Sequence, residues 1–227
     1  MGASGSHESF GRNRAHSAAE RLADGCVHAF GLLAGLSGGV FLVVLTLLQG
    51  NSNKLTAIIV YAGGLLAMLA ASAAYNIGYA TRFRDIFRRC DHSAIFIMIA
   101  GTYTPFTTQF FDTGKAVVFT GLIWGLSLGG IAMKIFRPVL FERASVFLYL
   151  LLGWVAVLIM GPLLISLSLF TALALVIGGL LYTFGLTFHL WENLPFQNAI
   201  WHVFVLAAAL CHYFAVLDGV VLRGTMA

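Results

Sequence analysis

The sequence predicts an all-α, polytopic membrane protein that crosses the bilayer seven times, with its N-terminus in the cytoplasm and its C-terminus outside. Three observations carry this reading. Of 227 residues, 59% are hydrophobic and 10% are charged, whereas ordinary soluble domains carry about 25% charged residues; the mean hydropathy is +0.91. The apolar residues fall into runs close to the ~20 residues that a helix needs to cross the hydrocarbon core. The basic residues sit in the short segments between those runs, and they favour one side.

The elements follow in order. Residues 1–20 are polar and rich in Gly, Ser and Arg, and read as a mobile tail ahead of a membrane domain spanning 21–227. The first apolar run, 25–49, begins too late and runs too long for a secretory signal. Gly31, Gly35 and Gly39 recur in it at four-residue spacing, a face on which another helix can approach closely. The second run, 55–77, offers Gly63, Ala67 and Ala71 at the same spacing. The third, 92–111, contains Pro105, a kink site; Thr102 and Tyr103 just before it read as lining the bundle interior. The fourth run is 115–134. Residues 144–188 form one uncharged stretch, which as a single helix would be roughly 68 Å long, over twice the core thickness of about 30 Å. Gly161-Pro162 divides it into runs 144–161 and 165–188. The seventh run is 198–221.

Charge sets the expected orientation. With the N-terminus inside, Arg12, Arg14, Arg21, Arg82, Arg84, Arg88, Arg89, Lys134, Arg137 and Arg143 are cytoplasmic, and Lys54, Lys115 and Arg223 are outside. That is the positive-inside pattern, and it accounts for the basic pI of about 9.2 without a nucleic-acid partner. The implied location is the inner (plasma) membrane, with lipids as the natural partners. Cys26, Cys90 and Cys211 show no CxxC pairing, and a disulfide framework is not expected.

Ionisable residues within membrane segments point to function by default. His28 opens the first run. Ser72 and Asn76 lie one turn apart near the end of the second. Asp91 and His92 start the third, and Asn198 and His202 lie one turn apart at the start of the seventh. Four helices thus bring polar side chains to one depth, the inner third of the bilayer, and Asp91 is expected to face the interior. Helix ends attract polar residues in any case: Asp91 can equally cap its helix, and His28 and His92 can serve hydrogen bonds in the packed bundle. His212, about 15 Å deeper than His202, reads as structural.

"DHSAIFIMIAGTYTPF" from Asp91 and "NAIWHVFVLAAALCHYFAVL" from Asn198 resemble the hemolysin III family. That family is similar to the progestin and adiponectin receptors, and more distantly to the alkaline ceramidases. "CVHAFGLL" from Cys26 fits its first helix, and "SAAYN" from Ser72 the end of its second. The resemblance covers roughly Glu20 to Leu217. It implies a cytoplasm-side zinc site built from a histidine in Ser-x-x-x-His on helix two and two in His-x-x-x-His on helix seven, with the helix-three aspartate reaching the metal through water. Such a site, with three protein ligands and an open position, is of the catalytic kind. Here Asn76 and Asn198 occupy two of the three ligand positions and only His202 remains. Neutral amides are poor zinc donors, so these substitutions should weaken zinc severely and put it in doubt. A hydrogen-bonded network of Ser72, Asn76, Asp91, Asn198 and His202, a harder ion such as Mg²⁺ or Mn²⁺, or His28 as a replacement ligand are the alternatives.

Three functions compete. The resemblance implies a role in sensing or regulating membrane lipid homeostasis. A metal-dependent lipid amide or ester hydrolase is the alternative, with Asp91 and Ser72 as candidate catalytic groups, although no spacing rule supports a Ser72–His202–Asp91 triad. Whether the chain is an enzyme stays open at this point. A pore ranks last, because pores usually need polarity through their full depth and here it gathers at one end.

Overall fold

The computed structural model describes residues 17–78, 81–137, 142–159 and 166–223, with the side chains at 142–143 and 156–159 outside that set. Among the described residues there are seven α-helices: α1 (Ala18–Leu48), α2 (Ser52–Ile77), α3 (Arg84–Phe110), α4 (Thr113–Phe136), α5 (Glu142–Ile159), α6 (Leu169–Leu190) and α7 (Gln197–Val216). A π-helical turn, Leu217–Leu222, continues α7. Each helix coincides with one predicted run. By length and composition α1, α2, α4, α6 and α7 with its π turn are apolar enough to cross a membrane, which makes this a multi-pass membrane protein. The Gly161-Pro162 break and residues 1–16 lie outside the described residues.

The helix starts follow local chemistry. The Ser17 hydroxyl accepts from the Glu20 N–H at 3.2 Å, and a Glu20 carboxylate oxygen accepts from the Ser17 N–H at 2.7 Å. This capping box starts α1 at Ala18, so Ser17–Glu20, read above as the end of a tail, belong to the first helix and its cap. Asn51, Asp112 and Ser168 cap α2, α4 and α6 in the same way, each accepting from a backbone N–H three residues on.

Helix α3 lies inside the bundle, touching α2, α4, α5 and α7, while α1 closes the bundle against α2 and α7. The first turns of α3 carry Arg84, Asp85, Arg88, Arg89 and Asp91, and its second half is uncharged but rich in threonine. Thr102, Thr104 and Thr108 each donate to the carbonyl four residues earlier, at 2.8, 2.8 and 2.7 Å, so they satisfy themselves within the helix. The backbones of α2 and α3 approach closely. A Cβ on Gly64 would lie 3.2 Å from the Ile97 carbonyl oxygen, and one on Gly101 would lie 3.3 Å from the Val60 carbonyl oxygen. The tight face of α2 is thus one residue away from the expected Gly63 stripe, and Gly63 has nothing within 4 Å. The α1 glycines do pack: a Cβ on Gly31 would meet Leu206 of α7 at 3.4 Å and Leu69 of α2 at 3.5 Å. Lipid tails give helices no hydrophobic reason to associate, so close backbone approach of this kind supplies the adhesion.

Leu42, Tyr61, Leu65, Met68, Met98 and Ala209 fill the middle of the bundle. Phe30, Leu33, Val40, Val117 and Val118 stay exposed on the outside, as an acyl-chain environment requires. Two lysines counted above as loop charges are buried. Lys134 is 2% exposed, with its Nζ 3.3 Å from the Ser145 hydroxyl. Lys54 is 1% exposed and reaches Gln49 Oε1 at 3.3 Å. Long stems let both amines fold back onto partners near the helix ends.

Candidate functional site

One stripe of α1 builds the site. Glu20, Asp24, His28, Gly31, Gly35 and Gly39 recur every three or four residues and are all buried, as one helix face must be. The lower half of the stripe is ionisable and the upper half is glycine, so the face that lets α2 and α7 approach closely also delivers polar groups to them.

Glu20 ties α1 to the start of α7. Its Oε1 accepts from the Phe196 N–H at 2.8 Å, just where Phe196 takes a left-handed conformation with φ 58° to turn the chain into α7. Helix α7 has no side-chain cap of its own at this end, so the Glu20 carboxylate supplies one from another helix.

One turn further along, Asp24 Oδ1 lies 2.5 Å from His202 Nδ1. Asp24 Oδ2 lies 3.6 Å from His28 Nε2. The His28 and His202 rings are 4.4 Å apart, tilted by 55°. One ligand-capable atom from each of the three residues lies within 4.8 Å of the other two. His28 is 5% exposed and Asp24 7%. A buried carboxylate must be paired, and the His202 ring is the nearest partner. Beside the cluster lies a cavity of about 30 Å³ lined by His28, Gly31, Met68, Ser72, His202 and Leu206, room for a bound water or an ion.

The residues singled out from the sequence divide into two groups. Asp91 interacts with the Ser72 side chain and, through charge, with His28 and Lys134, so Asp91 and Ser72 border the same centre as His28 and His202. Asn76 is half-buried, and its amide nitrogen donates to the Ser72 carbonyl at 2.9 Å. Asn198 sits half-buried in the first turn of α7. His92 turns to Tyr75, with ring centroids 6.5 Å apart, while its carbonyl accepts from the Tyr149 hydroxyl at 2.9 Å. The Tyr103 hydroxyl donates to the Leu152 and Gly153 carbonyls of α5 at 2.9 and 2.8 Å, a tie between helices rather than part of the cluster. His212 packs against Tyr182 with its Nε2 3.4 Å from the Leu175 carbonyl.

Sequence reading missed Asp24 and Glu20. The signal was present: Glu20-x-x-x-Asp24-x-x-x-His28 continues the glycine spacing downward. Starting the first run at residue 25 cut the ladder at its middle rung.

The zinc that the resemblance implied does not fit the positions it implied. Asn76 and Asn198 offer only neutral amide oxygens, which are poor donors to zinc. His202 alone supplies an imidazole there, which is too little for a zinc ligand set.

A family model described as Haemolysin-III related matches residues 17–213. The chain is 34% identical over 198 residues to the hemolysin-3 homolog of Bacillus subtilis (strain 168), covering 87% of this chain and 93% of that protein. It is 33% identical over 198 residues to hemolysin-3 of Bacillus cereus, covering 87% and 90%. With the human monocyte to macrophage differentiation factor it shares 28% identity over 204 residues, covering 87% and 83%. No solved structure matches.

Proposed function

Since the chain belongs to the haemolysin III family, we propose that it senses or regulates membrane lipid homeostasis through the polar centre at one end of its bundle. The observation that supports this is the placement of that centre. Asp24, His28 and His202 are buried among helices whose outer faces are apolar, and the adjoining cavity is lined by α1, α2 and α7 together. A change in lateral pressure or lipid packing that shifts α1 against α7 acts directly on the Asp24–His202 contact. The positive-inside bias supports a cytoplasmic-leaflet location for this end.

A second reading is favoured by Ser72 and Asp91 beside the cavity. A carboxylate next to a hydroxyl and two imidazoles is equipment for moving protons during lipid amide or ester hydrolysis. The pore reading lacks comparable support, because Leu42, Tyr61, Leu65, Met68 and Met98 pack together in the middle of the bundle.

The test is deletion and complementation, read as membrane order by probe anisotropy and as lipid composition by mass spectrometry. Deletion is expected to shift one or both. The wild-type gene restores them, and Asp24→Asn or His202→Gln does not. Restoration by both variants would detach the function from this centre. No shift on deletion would end the lipid reading. Release of free fatty acid by the purified protein, lost in Asp91→Ala, would move the hydrolase to first place.

A further inference from the structure

We propose that Asp24, His28 and His202 form a zinc site shared between α1 and α7, in place of the positions occupied by Asn76 and Asn198. Two imidazoles and one carboxylate are a complete protein ligand set for a zinc ion that keeps a fourth position open. The three donors converge from two helices. Asp24 and His28 are one turn apart on α1, and His202 faces them from α7.

Geometry supports a cation here. Ligand atoms bonded to tetrahedral zinc at 2.0–2.1 Å lie about 3.3 Å from one another. The Asp24–His28 separation of 3.6 Å is close to that value. The Asp24–His202 separation of 2.5 Å is that of a hydrogen bond; it opens by under an ångström when the ion takes the place of the shared proton, which leaves to solvent.

The second, independent observation is His28 itself. Its Nε2 is buried, with no hydrogen-bond partner, and the ring lines the cavity. A buried imidazole nitrogen without a partner is destabilising, and a metal–nitrogen bond at that atom removes the penalty. Ser72, whose side chain interacts with Asp91, lines the same cavity as His28 and His202. The proposal concerns binding and does not depend on the lipid reading; either can fail while the other stands.

The test uses the full chain, purified in detergent without chelator, and reads metal content by inductively coupled plasma mass spectrometry. The protein is then stripped and titrated with Zn²⁺, following thermal unfolding. The expected result is about one zinc per wild-type chain and a zinc-dependent rise in melting temperature. Asp24→Asn and His28→Gln should each weaken zinc more than about tenfold while eluting as folded protein. Asn76→Ala/Asn198→Ala should keep it. The wild-type titration stands alone if a variant fails to fold. The proposal is overturned by wild-type protein that takes up no zinc. It is overturned equally by zinc that survives Asp24→Asn and His28→Gln, as metal held by the exposed Cys26 or Cys90 would.

Discussion

His202 Nδ1 lies 2.5 Å from Asp24 Oδ1, a carboxylate 178 residues earlier in the chain, and this contact joins the first helix to the last. Both side chains are about nine-tenths covered, at 11% and 10% exposure. A contact that helps close the bundle thus also builds its polar centre.

Asp24→Asn and His202→Gln should each destabilise the purified protein by about 3 kcal/mol, since each leaves a buried partner uncompensated. The double variant should cost less than the sum of the two, with a coupling of about 1–3 kcal/mol. Detergent-solubilised unfolding curves for the four proteins check this. Strict additivity would show that the two side chains do not interact.

Glu20 accepts the Phe196 N–H at 2.8 Å and the Ser17 N–H at 2.7 Å, so it caps two helix starts at once. Glu20→Ala should lower stability by about 2–3 kcal/mol, the range for hydrogen bonds to charged groups. Glu20→Gln keeps one acceptor oxygen and should lose roughly half as much. Melting temperatures of the two variants, measured side by side, decide it. Equal losses would mean that charge matters and position does not.

A Cβ on Gly64 would lie 3.2 Å from a backbone oxygen of α3, whereas one on Gly63 would meet nothing within 4 Å. Gly64→Leu should therefore disrupt the α2–α3 contact and reduce folded yield strongly. Gly63→Leu, on the outer face, should express at the wild-type level. Size-exclusion profiles of the two neighbouring variants test the register of α2 directly.

Orientation can be read with cysteines placed in exposed segments. Thr81 precedes α3 and Thr113 opens α4, both exposed. In a background lacking the native cysteines, Thr113→Cys should react with an impermeant maleimide on intact cells. Thr81→Cys should react only after permeabilisation. The reverse pattern would place the polar centre at the outer leaflet.

The helices were legible because apolar runs of crossing length, interrupted by charge and by Gly-Pro, leave little freedom in a bilayer. Their starts were less so. Ser17 and Glu20 form a capping box that hydropathy does not register, and α1 therefore seemed to begin seven residues late, at 25 instead of Ala18. The register of α2 was misjudged at Gly63 because Gly63 and Gly64 are adjacent, and only the approach of α3 at Ile97 distinguishes them. In the site, His28, Ser72, Asp91 and His202 were visible as polar groups at one depth. Asp24 was not, because a carboxylate at the edge of an apolar run looks like a solvated flank until α7 is packed against it. Tyr103 does pack against the core as expected, but its hydroxyl partner on α5 depends on helix rotation and not on sequence spacing.

The most direct measurement is an anomalous difference map, collected at the zinc absorption edge, from crystals of the zinc-loaded protein. One peak is expected, enclosed by Asp24, His28 and His202, with the Asp24–His202 contact opened relative to 2.5 Å. A peak against Asn76 and Asn198, or a map with no peak while Asp24 and His202 remain hydrogen-bonded, would contradict it.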